Sequence, residues 1–226
     1  MERTEAERLI LAWGWLAEQA KELQAIILQR SRLVMHAPGD FVFHAGDDSG
    51  GIYGVVSGGI GIYLPTFAGD LRLAHIGRQG VWFGYGPLIR GRRRSLSFSP
   101  TETTWLMHVP LPALQEIASG SPAYQRAILS VSEYGMDAAI TIIENLLIQN
   151  HARRIGATLL RVMPHSGESN SDIVLTQNQL GEMASVGRQV VNRELQRMES
   201  KGWIRASYNR IAILDREGLR RFAENA

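Results

Sequence analysis

Leu175-Thr176-Gln177-Asn178-Gln179-Leu180-Gly181-Glu182-Met183-Ala184, Ser185-Val186-Gly187, and Arg188-Gln189-Val190-Val191-Asn192-Arg193-Glu194-Leu195 run consecutively, and their pattern decides how the chain is read. Thr176 and Gln179 have the Thr-x-x-Gln spacing of a capping box, which starts a helix. Leu180 and Met183-Ala184 give that helix a buried face. Ala184-Ser185-Val186-Gly187 reads as a tight corner, where small residues let two helices cross closely. A second helix is expected from about Arg188 to Ser200, ended by a basic last turn and Lys201-Gly202. Within it Val191, Leu195 and Met198 recur at i, i+4 and i+7 and face the first helix. Arg188, Gln189, Asn192 and Arg193 are then left on the outer side, in the half of a recognition helix that enters the major groove. Arginine matches the paired acceptors of guanine, and glutamine or asparagine matches adenine. Trp203-Ile204-Arg205-Ala206-Ser207 and Arg210-Ile211-Ala212-Ile213-Leu214 read as a hairpin turning at Tyr208-Asn209, a wing that directs Arg205 and Arg210 to phosphates. Asp215 caps a short last helix. Thr176, Arg188, Gln189, Asn192, Arg193, Arg205 and Arg210 are therefore the candidate contacts to double-stranded DNA.

Working outward, residues 151–163 read as a helix, and Pro164 to Ser171 as a polar loop. Residues 122–148 read as one long helix, with Ile128, Val131, Tyr134 or Gly135, Ala138, Ile142 and Leu146 or Leu147 at roughly heptad spacing. A helix of that length spans about 40 Å and carries a stripe that one small domain would struggle to cover, which favours dimerisation. From about 33 to 109, short apolar runs alternate with glycine and proline. The runs are 40–43, 51–56, 61–64, 71–76 and 104–109, and their spacing implies a small all-β sandwich or barrel. Residues 6–29 show helical periodicity through Leu9, Trp13, Leu16, Ala20, Leu23 and Ile27.

At 226 residues the chain accommodates two domains. It has no cysteine, which removes disulfides, thiolate zinc sites, cysteine-ligated iron–sulfur clusters and thiol catalysis. No run approaches the ~18–20 apolar residues of a membrane span. The acidic start lacks the order of a secretory signal, so a cytoplasmic location and no membrane partner are expected. Net charge is +2, but residues 151–226 carry 12 Lys/Arg against 8 Asp/Glu, while residues 1–150 carry 12 against 14. A basic C-terminal part on a mildly acidic body suits contact with phosphates.

On these residues the chain resembles the Crp/Fnr family of bacterial regulators over nearly all its length. The specific match is 175–184, 187–195 and Gly202-Trp203-Ile204. A looser, ordered match includes Ala37-Pro38-Gly39-Asp40, Ala45-Gly46-Asp47, 53–58, Phe83-Gly84 and Arg94-Ser95. The resemblance implies an α+β chain in three parts. These are an N-terminal cyclic-nucleotide-binding-like β-roll (a jelly roll) over 1–121, a dimerisation helix and hinge over 122–150, and a winged helix-turn-helix over 151–226. It also implies a homodimer on a near-palindromic operator, with RNA polymerase touched near loop 164–172. Gln189 stands where the family commonly has glutamate.

The same resemblance sets the effector question. Cyclic-nucleotide members bind ribose through a glutamate after the glycine of Phe-Gly and hold the phosphate with Arg-Ser. Here Gly84 is followed by Tyr85, while Arg94 and Ser95 are present. Where the base meets hydroxyl residues on the long helix, alignment gives Ala139 and Ile140. Such replacements leave ligand hydroxyls and ring nitrogens unpaired, so cAMP in the usual pose is not expected. Arg90, Arg92, Arg93 and Arg94 could instead attract a small anionic effector, or the protein could respond to none. The scattered His36, His44, His75, His108, His151 and His165 leave haem open without indicating it. An enzyme of the cupin type would need clustered metal ligands, and no His-x-His or similar cluster occurs in 33–109. Gly84, Gly86 and Gly91 form no phosphate loop. No catalytic or metal-binding residue is assigned.

Overall fold

Short strands form where β-branched and aromatic residues run between turn-forming glycines. The computed structural model describes residues 1–164 and 172–224, with Ile89 and Arg90 described by backbone alone. The chain divides into two compact units, Met1–Leu71 with Ile76–Ala139, and Arg72–His75 with Ile140–Ala226. At the N-terminus lie α1 (Arg3–Ile10), a 3-10 turn (Trp15–Glu18) and α2 (Lys21–Arg30). The single helix expected over 6–29 is thus broken. Gly14 has φ of 81°, and a Cβ there would fall 2.0 Å from the Gly80 carbonyl oxygen. Trp15 and Leu16, rather than Trp13, enter the core, while Trp13 and Ala20 are exposed.

Strands β1 (Arg32–His36), β2 (Gly51–Ser57), β3 (Ile60–Pro65), β4 (Leu71–Gly77) and β5 (Trp82–Phe83) lead to α3 (Gly86–Arg90), followed by β6 (Ser97–Pro100) and β7 (Thr104–Pro110). They form an antiparallel sheet ordered β1-β7-β2-β5 and a second ordered β4-β3-β6. Val55, Phe83 and Leu106 of the first sheet meet Ile60 and Phe98 of the second, with Phe43 between. Phe83 and Phe98 stack at 4.5 Å. The expected strand 40–43 contributes only the bridge Phe43↔Phe98. Turns at Gly39 (φ 90°) and Gly46 (φ 95°) redirect the chain before a ladder can extend.

Both proline positions open helices: α4 (Leu111–Gly120) has Pro112 in its first turn and α5 (Pro122–Leu147) begins on Pro122. Ile128 and Val131 are buried in the same core as Trp15, Leu23 and Leu114. The Trp15 indole donates to the Ala127 carbonyl at 2.9 Å and the Ser130 hydroxyl at 3.1 Å. The first half of the expected dimer stripe therefore packs on the chain's own helices. Beside it, Leu129, Met136 (62 % exposed), Ile140, Ile143 (56 %) and Leu147 (69 %) form an open stripe.

The second unit contains α6 (His151–Val162), β8 (Asp172–Val174), α7 (Gln177–Ala184), α8 (Arg188–Ser200), β9 (Ile204–Ser207), β10 (Arg210–Ile213) and α9 (Arg216–Glu224). Its sheet is ordered β8-β10-β9, and Ile204 pairs with Ile213 across the hairpin. The expected loop at residues 165–171 lies outside the described residues.

Candidate nucleic-acid interface and the sensor pocket

The α7–α8 pair is fixed by its ends. Gln179 donates its backbone N–H to the Thr176 hydroxyl at 3.1 Å, and Thr176 donates its own to the Gln179 side chain at 2.8 Å. Both halves of the capping box form. The turn depends on Ser185 of the expected corner and on Gly181, a glycine one turn before it. Ser185 takes a left-handed φ of 51°, and a Cβ on Gly181 would fall 2.7 Å from the Val186 carbonyl oxygen. Gly187 has open space around it. At the far end of α8, Gly202 (φ 72°) donates to the Glu199 carbonyl and Trp203 to that of Met198. This paired pattern is a Schellman stop. Asp215 caps α9 by accepting the Gly218 N–H at 2.8 Å.

Val191, Leu195 and Met198 are buried, and Arg188, Gln189, Asn192 and Arg193 are all exposed on the outer side of α8. Asn192 donates to the Gln177 side chain at 3.4 Å, which links the two helices at the surface. Thr176 is half-buried, with its oxygen engaged in the cap. In the hairpin Arg210 pairs with Ser207, two residues from Arg205, so Arg205 and Arg210 share the outer face. Both are exposed, and Arg210 lies 3.7 Å from Asp172.

Two charged residues that sequence reasoning missed hold this module together. Glu194 is 4 % exposed, next to the buried Val191, Leu195 and Met198. Its carboxylate accepts from Arg193 Nε at 2.9 Å and Arg197 Nη1 at 3.2 Å, so Arg193 is oriented before any ligand arrives. Arg154 of α6 is 8 % exposed. It donates to the carbonyls of Ala184 and Ile148 at 2.6 Å each, and to that of Ser185 at 3.5 Å. A cation on orphan carbonyls at the end of α7 satisfies both hydrogen bonding and the helix dipole. Its signal was available: Arg154 and Thr158 share the face of α6 that buries Ile155, Leu159 and Val162.

In the sensor unit Gly84, Tyr85 and Arg94 lie together, but Arg94 is turned on the protein's own backbone. Arg94 is buried, with its guanidinium 3.5 Å above the Phe43 ring. It donates to the carbonyls of Asp48 (3.3 Å), Gly84 (3.3 Å) and Gly51 (3.2 Å). Burial lowers its pKa, against the opposing pull of Tyr53 and Asp47. Ser95 is exposed, so the pair is split between core and solvent. Gly84 has φ of 86°, and a Cβ there would fall 2.8 Å from Arg94 Nη1. Tyr85 is half-buried, its pKa raised by burial. A Cβ on Gly135 would fall 1.3 Å from the Tyr85 hydroxyl, so the ring rests on the bare backbone of α5. Ala139 is half-buried and Ile140 is part of the open stripe. These residues do not fit a cyclic nucleotide: the phosphate arginine is spent on carbonyls, and a tyrosine stands in the ribose position. Arg92 and Arg93 are exposed, and the Arg90 side chain lies outside what is described. Among the described residues no group of three or more His, Asp or Glu could hold a metal.

The chain matches the Cyclic nucleotide-binding domain family over residues 33–121 and the Crp-like helix-turn-helix domain family over 153–222. It is 25% identical over 177 residues to Transcriptional regulator SdrP of Thermus thermophilus, covering 76% of this chain and 84% of that one. It is 22% identical over 214 residues to Electron transport regulator A of Shewanella oneidensis, covering 92% and 84%. A solved Crp/Fnr-family transcriptional regulator, also of Thermus thermophilus, superposes with a TM-score of 0.67 at 23% identity, over 86% of this chain and 99% of that one.

Proposed function

Since the chain is a Crp/Fnr-type transcriptional regulator, with a cyclic nucleotide-binding domain and a Crp-like helix-turn-helix, we propose that it reads a near-palindromic operator as a homodimer without cAMP in the usual pose. The observation that carries the reading is the outer face of α8. Four exposed polar side chains stand there on a helix that follows the capped α7 and is closed at its own C-terminus by the Gly202 stop, with Arg193 already oriented by Glu194. Arg188 and Arg193 read guanine, and Gln189 and Asn192 favour adenine. A glutamate at the Gln189 position would accept from cytosine instead, so the middle of the half-site departs from the common family pattern. Arg205, Arg210 and the Thr176 cap serve the phosphates.

The open stripe on α5 supports dimerisation, which gives two half-sites about one turn, ~34 Å, apart. RNA polymerase is the partner that the resemblance implies, and the loop assigned to it falls largely outside the described residues. A DNA ligand fits a cytoplasmic location, and the reading includes no catalytic step. Arg94 on backbone carbonyls and Tyr85 against Gly135 support a nucleotide position that has been closed.

Selection of bound duplexes from a random pool tests this, with wild type and an Arg188→Ala/Arg193→Ala variant, each with and without cAMP. Wild type is expected to enrich a two-fold-symmetric site in both conditions, and the folded double variant to enrich none. Enrichment by the double variant would refute the α8 assignment, and enrichment only with cAMP would refute the closed pocket.

A further inference from the structure

Beside Arg94, whose Nε donates to the Asp48 carbonyl, the sensor unit contains a cavity of about 440 Å³. This is within the size range of small-molecule sites. Its wall is apolar and comes from three helices: Leu88 of α3, Leu111, Leu114 and Ala118 of α4, and Ile128 of α5. Arg92, Arg93, Asp48 and Ser49 complete the lining on one side. Arg93 and Asp48 are exposed and lie 3.6 Å apart. Arg92 is exposed too, so among the described residues the rim sets two guanidiniums against one carboxylate. The Ser49 hydroxyl is buried with no hydrogen-bond partner among the described residues. A buried hydroxyl left so is costly and calls for an acceptor.

We propose that this cavity binds an organic monoanion with an apolar body, an acyl or aryl carboxylate. The apolar wall takes the body. The carboxylate is held by Arg92 and Arg93 and accepts from Ser49, a charge-assisted arrangement stronger than neutral hydrogen bonds. A single carboxylate keeps its charge at the rim, whereas a second charged group, as in a dianion or a dinucleotide, would be brought against the apolar wall. The described lining includes none of Gly84, Tyr85, Arg94, Ser95, Ala139 and Ile140, so the cavity adjoins the closed nucleotide position without sharing its residues. The inference stands apart from the DNA reading, because its test needs no DNA.

Titration calorimetry on the full chain with decanoate, 1-naphthoate and the neutral decanol is the test. At least one carboxylate is expected to saturate a single site per chain, roughly tenfold more tightly than decanol. Arg92→Ala/Arg93→Ala is expected to weaken it roughly tenfold and Ala118→Trp, which fills the cavity, to abolish it. Should Ala118→Trp lose its circular dichroism signal, Gln115→Trp on the exposed side of α4 obstructs the same cavity without touching the core. No saturable binding of either carboxylate would overturn the proposal. So would decanol binding as tightly as decanoate, or binding that survives both tryptophan variants, which would place the ligand on another apolar surface.

Discussion

Replacing Arg154 with methionine keeps an unbranched chain in the same space and removes only the guanidinium. Three carbonyls lose their donor: Ala184 and Ile148, each at 2.6 Å, and Ser185 at 3.5 Å. The two short bonds decide the size of the effect. A hydrogen bond to a charged group contributes about 1.5–3 kcal/mol, so their combined loss is about 3 kcal/mol at the low end. Sparing the guanidinium its burial returns part of this, which leaves about 2 kcal/mol of destabilisation. For a winged-helix unit of this size, that corresponds to a drop of roughly 8–16 °C in Tm. Arg154→Lys keeps one donor direction and is expected to recover about a third of the loss. The assay is urea unfolding followed by tryptophan fluorescence with Trp13, Trp15, Trp82 and Trp105 replaced by phenylalanine in both proteins compared, so that Trp203 alone reports on this unit, alongside operator binding. Affinity should fall with stability, because Ala184 and Ser185 form the corner that aims α8. A methionine variant within about 0.5 kcal/mol of wild type would refute the argument, since that is the range of an inconsequential surface change.

Gly181→Ala drives a Cβ to 2.7 Å from the Val186 carbonyl oxygen and is expected to cost about 1–3 kcal/mol in thermal unfolding, while Gly187→Ala, with open space, stays within about 0.5 kcal/mol. Met136→Glu/Ile143→Glu puts two charges on the open stripe of α5, and sedimentation should then show a monomer whose operator affinity has collapsed. Tyr134 donates its hydroxyl to the Glu18 carboxylate, and desolvation, with that bond and the neighbouring acids, pushes its pKa up to about 12. A raised folded pKa means that the protonated form is favoured by folding. The stability advantage over Tyr134→Phe is therefore whole below pH 10, shrinks as pH rises from 10 towards 12, and is read from paired denaturation curves.

The C-terminal half was legible because its determinants are local. Thr176 and Gln179, Gly202, and Asp215 each act within four residues of themselves, and each forms the cap that its spacing implies. The N-terminal half was legible in class but less so in detail. β5 is two residues long and β6 reads Ser-Phe-Ser-Pro, too short or too polar to register as strands, although Phe83 and Phe98 form the centre of the roll. The break at Gly14 is set by Gly80, far away in sequence, which no periodicity over 6–29 can report.

The long helix and the buried charges share a deeper reason. Periodicity tells which residues lie on one side of a helix, but not what covers that side. On α5 two apolar stripes lie side by side: Trp15 and the other helices take Ile128 and Val131, which leaves Leu129, Met136, Ile140, Ile143 and Leu147 exposed. A heptad pattern that mixes both stripes selects the helix but cannot separate its buried face from its open one. The same gap hides Arg94 and Arg154. Arginine in a sequence reads as a surface charge or an anion site, because its partners there are taken to be acids or phosphates. In this chain both arginines are buried on backbone carbonyls, acceptors that carry no sequence identity. An Arg-Ser pair can therefore persist in its expected place while the arginine has become part of the core. The pair is informative about a bound phosphate only once its guanidinium is known to be unspent.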